Sequence, residues 1–558
     1  PGAMRLATLI VGAIFFALFV DVVAKRFRFP VEVEWMGGGI LDEVERVTHH
    51  QPLYVAPSAS FIPFIYPPLY FWVCAAVAKA MPVMTACRLV SLASTLVTAG
   101  LLYVVSRRLG AGRFWATTGV ALFFAAYSFC GYWYDLERCD SLSLALTAAS
   151  LAIVTARRDA WLAAIGGAVM GLAFFAKQPA LIVLVGGSAG LVAARDWRRA
   201  AAFGGVGVAV IALGTMLLNE ASGGWFSTYV FTVPSRHGIR PELFTLFLVV
   251  DASQAFALFA ATAALSATAL AAAGRCWRGR VRVPEGDLVF FTGVLLGAFA
   301  ASALGRWHLG GWRNVLLFWS TFACVAFAVG ASRLEAFARG RGMATPMAAI
   351  LCGAAVLQMA RFGYTPDEAA PDAGRVRDAR VVSETVTHLE TLGEVIVSGR
   401  GHVTSPRHFH IAALMDILRG GFAIPADLAS GLRSRRYAAY VIDEFGELSM
   451  EAMLNGRRSD LFDLVTASYF VAQRLDDRER PPIVGWIAHP SWILRPRRRP
   501  LVGQTTLALE RRQRIEIGIA EARMRAVQAG ARPADAGWDI EELAEQTDVG
   551  ARPEDGRP

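Results

Sequence analysis

Twelve apolar runs spread over the first 360 residues constrain this chain more than any other feature, because about 20 mostly apolar residues carry a helix across a bilayer core. They lie near 6–24, 68–83, 86–106, 114–132, 139–156, 160–176, 178–194, 200–218, 243–272, 287–304, 313–331 and 342–360. A hydrophobic share of 55% and a mean hydropathy of +0.42 are too high for a soluble globule of 558 residues. Charge is scarce between residues 5 and 360 and ordinary from 361 to 558, so the boundary falls near Arg361. The expected fold is an α-helical polytopic membrane protein with a C-terminal soluble α/β domain, divided as 4–360, 361–503 and a charged helix with a disordered tail at 504–558.

Orientation follows from arginine, since short cytoplasmic loops retain positive charge. Arg157-Arg158 and the clusters at 195–199, 275–282 and 333–341 alternate with loops at 133–140, 177, 219–242 and 305–313. The first set reads as cytoplasmic and the second as external, which also puts the C-terminal domain outside. Arg107, Arg108 and Arg113 then lie inside and the loop 25–67 outside, so an odd number of crossings must separate them. Runs 68–83 and 86–106 give an even number, so one of them is interfacial or re-entrant and the count is eleven spans, with twelve as the fallback. Pro1-Gly2-Ala3 before Met4 reads as a cloning scar, and Leu6 to Val23 as a retained span rather than a signal peptide.

The formal charge of +9 sits in short clusters between apolar runs, where topology explains it, and nucleic acid is not an expected partner. Cysteines 74, 87, 130, 139, 276, 324 and 352 lie in or beside apolar runs without a CxxC pair, so neither a zinc site nor a disulfide framework is indicated.

Chemistry concentrates in the external loops. The first holds Glu32, Glu34, Trp35, the glycines 37 to 39, Asp42, Glu43, Glu45 and Arg46, followed by an aromatic, proline-rich stretch ending in Tyr66-Pro67-Pro68. Ile40 to Thr48 reads as an amphipathic helix with Ile40, Leu41, Val44 and Val47 on one side. Glu32, Glu43 and Glu45 are expected on a solvated face. Glu34 and Asp42 flank the triple glycine, which lets backbone approach a ligand closely. In the second loop, Asp135, Arg138 and Asp140 run directly into a span; an ionisable group at such a helix mouth is costly, and Asp140 is a functional candidate that also suits the helix dipole. Lys177 either snorkels or meets a phosphate. The later loops add Arg236, His237 and Arg240, then Arg306, His308 and Arg313, among aromatic rings.

Several stretches together resemble the GT-C superfamily of integral-membrane glycosyltransferases, in the branch of the protein O-mannosyltransferases and the aminoarabinose transferases of lipid A. They are Glu34 to Arg46 with Gln51-Pro52-Leu53-Tyr54, Tyr66 to Trp72, Trp133 to Leu142, Phe175-Ala176-Lys177-Gln178-Pro179 and Gly310-Gly311-Trp312-Arg313-Asn314. The resemblance implies a polyprenyl-phosphate sugar donor, a glycan, lipid or protein acceptor, and a bacterial inner-membrane location with the C-terminal domain periplasmic or extracellular. It makes Asp42 the general base, with Glu34 as competitor, and carries an Arg-x-Asp element onto Arg138 and Asp140 and a lysine onto Lys177. An arginine is implied three positions after Asp42, where Glu45 stands, with Arg46 one step later. Arg46, Tyr66, Asp135, Arg138, Asp140, Lys177, Arg236, His237, Arg306, His308 and Arg313 are the expected substrate contacts.

The chemistry fits these parts. A sugar hydroxyl needs a carboxylate to take its proton, and a phosphate leaving group needs cations. Arg138 and Lys177 serve, or a divalent ion, Mg or Mn, held by Asp140. A transporter or flippase of lipid-linked sugars is the alternative of another class, but it calls for repeated halves and mid-bilayer charge, and the notable charges here sit at span ends. A scaffold that binds the lipid without catalysis is a third. In the C-terminal domain, 393–399 and 437–444 read as strands and 408–419, 426–435 and 449–455 as helices, with no catalysis expected there and acceptor binding, a lid over the membrane cleft or structural support as the role.

Overall fold

A computed structural model describes residues 2–279, 285–308, 310–398, 408–442, 460–475, 484, 491–501, 503–528 and 539–549. Among these, seven helices are long and apolar enough to cross a membrane: Gly2–Phe27, Val83–Arg108, Trp197–Ala221, Phe256–Arg275, Gly286–Trp307, Arg313–Arg339 and Ala344–Arg361. Four shorter apolar helices, Leu69–Ala78, Asp140–Val154, Ala160–Ala176 and Ala180–Ala193, join them. Length and composition alone qualify these seven, and the expected count of eleven rests on the shorter helices as well. Leu69–Ala78, with its 10 residues, rises only about 15 Å, half a hydrocarbon core.

Two apolar runs are not continuous helices. The run 114–132 is helical only over Arg113–Ala125, because the chain reverses at Gly131 and Tyr132, both at positive φ, and so aims residues 133–138 inward. The run 243–272 begins with the short helix Pro241–Leu246, passes through a wide turn at Phe247–Asp251 and breaks at Ala255 before Phe256–Arg278.

Apolar side chains cannot drive helices together in lipid, so close backbone packing does. Ala180–Ala193 and Gly286–Trp307 meet through Gly186 and Gly190 against Gly293 and Gly297; a Cβ on Gly190 would lie 2.7 Å from Val289 O. Ala160–Ala176 meets Trp197–Ala221 in the same way through Gly167, Gly171 and Gly207.

The first loop departs from expectation. Helix Gly37–Thr48 does bury Ile40, Leu41 and Val44, but Asp42 and Glu43 are buried with them, and Glu32 is also buried. Glu32 and Glu43 are therefore not a solvated face: Glu43 Oε1 accepts from the Phe64 amide at 2.7 Å. Gly39 lies where a Cβ would collide with Phe64 and His410, so this bare backbone serves packing within the protein.

Beyond the helix ending at Arg361 lies a four-stranded sheet of β1 (Val395–Val397), β2 (Ala439–Ile442), β3 (Tyr469–Arg474) and β4 (Trp492–Pro496), in the order β1-β2-β4-β3. β1 and β2 are parallel, and β4 runs antiparallel to both its neighbours. β1 and β2 fall within the two expected strand stretches; β3 and β4 have no counterpart among them. The expected helix at 449–455 lies outside the described residues. Thr506–Gln528 is the charged helix, and Ile540–Val549 is a further helix within the stretch expected to be disordered.

This domain docks on the first loop. Phe409 N donates to Ala59 O at 3.2 Å, Ala59 N to Asp427 Oδ2 at 2.9 Å, and Val484 N to Val33 O at 3.1 Å. His410 Nε2 meets Trp35 O at 2.7 Å.

Candidate active site

The site begins with Arg88, at the start of Val83–Arg108. Its guanidinium donates to Arg26 O at 2.8 Å, Phe29 O at 2.7 Å and Val31 O at 2.8 Å, and its Nε pairs with Glu137. Both side chains are buried. One cation thus ties the extended segment before Glu34 to the loop that presents Arg138 and Asp140.

Arg138 reaches back across this junction. Its Nη1 lies 3.3 Å from Glu34 Oε2, its Nη2 donates to the Tyr66 hydroxyl at 2.7 Å, and its guanidinium carbon sits 5.2 Å above the Tyr66 ring. Glu34 is fully buried, and its Oε1 has no hydrogen-bond partner among the described residues, nor has Arg138 Nε. Burial pushes the Glu34 carboxyl up to about 7 against the opposing pull of Arg138. Tyr66 is raised by burial above the ordinary phenol range.

Lys177 ends helix Ala160–Ala176 in an extended conformation, which turns its ammonium toward Asp140 Oδ1, 2.5 Å away. The same oxygen accepts from Asn314 Nδ2 at 3.1 Å. Asp140 lies in the first turn of its helix, where the dipole favours its charge. The donor set does not suit a divalent ion: one Asp140 oxygen already holds an ammonium and an amide, and no cluster of three His, Cys, Asp or Glu able to hold a metal occurs among the described residues. Arg138 and Lys177 bring two cations to this junction.

These groups open onto a cavity of about 440 Å³. Glu34, Tyr66, Arg138, Lys177, His237 and His308 line it, as do Trp35, Met36, Ile65, Trp133, Arg240, Trp312 and Asn314. Part of its wall comes from the C-terminal domain, where helix Ile411–Arg419 contributes Ala412, Met415, Asp416 and Arg419. His237 Nε2 meets Asp416 O at 3.0 Å, and the His237 and His308 rings are 5.0 Å apart. Burial, reinforced by His237, holds His308 below the usual histidine range.

Other expected contacts fall elsewhere. Asp42 and Arg46 line a separate cleft of about 210 Å³ with Glu45, His49, Ser60 and His408. Asp42 is pushed well above the carboxylate range by burial and then by Glu45, Glu32 and Glu43. Arg46 is engaged with Pro52 O at 2.9 Å and stacks on Phe61. Asp135 pairs with Arg26 at 3.1 Å and accepts from Tyr127 at 2.5 Å, a buried structural network. Arg306 pairs with Asp251 at 2.8 Å. Arg236 is exposed and donates to Gly420 O at 2.9 Å, at the joint with the C-terminal domain. Arg313 is exposed and is not among the residues lining the cavity. Asn314, at the end of the 310–314 stretch, has no chemical signal of its own in the sequence; Met415, Asp416 and Arg419 have none beyond an amphipathic helix.

Apolar helices thus present a cationic, aromatic-walled cavity near their ends. Residues 64–303, under half of the chain, match the family model of glycosyltransferase family 87. Tyr66, Arg138, Asp140, Lys177 and His237 fall inside that region; Glu34 and the C-terminal domain lie outside it. Solved structures similar along most of the chain include ArnT from Cupriavidus metallidurans in the apo state, at 13% identity, 86% of this chain, 97% of that one and a TM-score of 0.49. The same protein bound to undecaprenyl phosphate gives 14%, 86%, 97% and 0.47. The oligosaccharyltransferase of Archaeoglobus fulgidus in the apo form gives 12%, 88%, 76% and 0.46. No curated protein matched.

Proposed function

We propose that the chain transfers a sugar from a polyprenyl-phosphate donor to an acceptor at the external face of a bacterial inner membrane, with Glu34 as general base. One observation carries this reading: a buried carboxylate with an unpartnered oxygen faces the same cavity as Arg138 and Lys177. The acceptor hydroxyl gives its proton to Glu34 as its oxygen attacks the anomeric carbon, and the bond from that carbon to the phosphate oxygen breaks. The departing phosphate gains charge, which Arg138 and Lys177 neutralise. Trp35, Trp133 and Trp312 supply the flat faces that sugar rings and a prenyl chain pack on. Helix Ile411–Arg419 walls the cavity from the soluble side, which suits the C-terminal domain to acceptor binding. Asp42, the base implied by the family resemblance, is the second candidate, but it lines a different cleft.

The test is transfer by the full chain reconstituted in liposomes with a panel of labelled polyprenyl-phosphate sugars and membrane-extracted acceptors. Glu34→Gln should lower turnover by roughly 100- to 10,000-fold, the usual worth of a positioned base. Asp42→Asn should stay within about ten-fold of the parent. A donor that crosses the bilayer without being consumed would move the protein to the transporter class, and a fully active Glu34→Gln would remove Glu34 as base.

A further inference from the structure

The end of the bundle remote from this cavity holds a second cleft of about 440 Å³, lined by Arg5, Arg107, Arg113 and Arg339 with Trp115, Phe114 and Glu335. Its distance follows from helix rise. Arg88 binds beside the cavity, and Arg107 lies 19 residues further along the same helix, about 28 Å at 1.5 Å per residue. Arg26 contacts the Asp135 loop, and Arg5 lies 21 residues back along its helix, about 31 Å. One hydrocarbon thickness is about 30 Å, so the cleft sits at the opposite membrane surface.

We propose that this cleft binds a phosphate group, that of an anionic lipid headgroup. The tendency of basic residues to stay on one side explains arginines near helix ends, but not their convergence. Three other arginines at this end meet carboxylates, Arg158 and Arg199 sharing Asp287 and Arg333 pairing with Glu285, while Arg108 donates to Ala152 O and Arg195 stacks on Trp277. In the cleft, four arginines face one carboxylate, Glu335, which already accepts from Arg5 at 2.6 Å, Arg339 at 3.2 Å and Trp115 Nε1 at 2.7 Å. Arg107 donates to Ala111 O at 2.6 Å, and Arg113 has no carboxylate within ion-pair distance among the described residues. Four guanidiniums around one buried carboxylate leave three positive charges in excess, drawn from four separate helices. Phe114, half-buried, stands beside them where aromatic rings sit at headgroup level, while Trp115 is buried with its indole on Glu335. A phosphate bearing an acyl-chain glycerol satisfies both features, since guanidiniums take its oxygens and the Phe114 ring borders its tails.

The experiment is native mass spectrometry of the full chain released from micelles containing equal phosphatidylglycerol and phosphatidylcholine, with inorganic phosphate added in a parallel arm. The chain should retain one phosphatidylglycerol in preference to phosphatidylcholine. Each arginine at an anionic surface is worth about five-fold, so Arg107→Gln with Arg113→Gln should weaken retention about thirty-fold. Both side chains are exposed, so the variant folds. Arg333→Gln, a control at the same membrane surface but outside the cleft, should leave retention unchanged. Displacement of the lipid by millimolar inorganic phosphate would keep the phosphate site and assign it a soluble ligand. Equal retention of both lipids, or an equal loss in Arg333→Gln, overturns the proposal.

Discussion

Lys177→Met tests the geometry of the site without needing any substrate. The Lys177 ammonium lies 2.5 Å from Asp140 Oδ1, with side-chain exposures of 10% and 1%. At an effective dielectric of about 20 their attraction is roughly 7 kcal/mol, from which desolvation takes back a large part. Breaking such a pair by removing one partner costs about 3–5 kcal/mol, because the other charge stays buried. After Lys177→Met, Asp140 keeps only the Asn314 amide at 3.1 Å on that oxygen, so the upper half of this range is expected. Asp140→Asn should cost less, since the lysine is nearer water. The double variant removes both charges and should be more stable than the sum of the two losses by at least about 2 kcal/mol. Equilibrium unfolding in mixed micelles, followed by circular dichroism, gives the four free energies of the cycle. Losses that add to within about 0.5 kcal/mol would show that the two side chains do not hold each other, and that Asp140 does not fix the Lys177 ammonium at the cavity wall.

Glu34 predicts a pH dependence. Its folded value of about 7 lies above the ordinary 4.5, so the protonated form is favoured by folding. The base form, and with it kcat/KM, should rise with pH up to about 7 and level off above; Glu34→Gln should lack that limb. Stability runs the other way: the Glu34 contribution is complete below 4.5 and is lost as pH rises through about 7, on the order of 3 kcal/mol, and thermal unfolding of Glu34→Gln should not show this fall. Arg88→Met should destabilise by about 3–5 kcal/mol by leaving Glu137 buried and unpaired, and cysteine cross-linking between the first and second loops should report their separation. Gly190→Val should cost about 1–3 kcal/mol, because the obstacle is the Val289 carbonyl of a facing helix and not a side chain that can turn away; unchanged unfolding would refute the close helix contact.

Much of this organisation is legible along the chain. Apolar runs without charge must enter lipid, and a residue such as Asp140 at a helix mouth is too costly there without a partner, which is why Arg138, Asp140 and Lys177 stand out. Glu34 and Asp42 do not separate in the sequence, because both stand beside the same three glycines and differ only in which way the folded loop turns them. Asp135 and Arg306 look like ligand contacts in a sequence and become structural when Arg26 and Asp251 arrive from distant segments.

The sequence by itself determined that the first 360 residues form apolar helices and that chemistry gathers at their ends, since hydropathy and charge are local properties. Only the tertiary structure decided which carboxylate faces the cations, that Arg88 clasps the two loops, and that helix Ile411–Arg419 closes the wall. Those outcomes depend on side chains far apart along the chain meeting at one place, 49 residues for Arg88 and Glu137 and 104 for Glu34 and Arg138, and burial, which sets both their charge and their partners, exists only once the chain has folded.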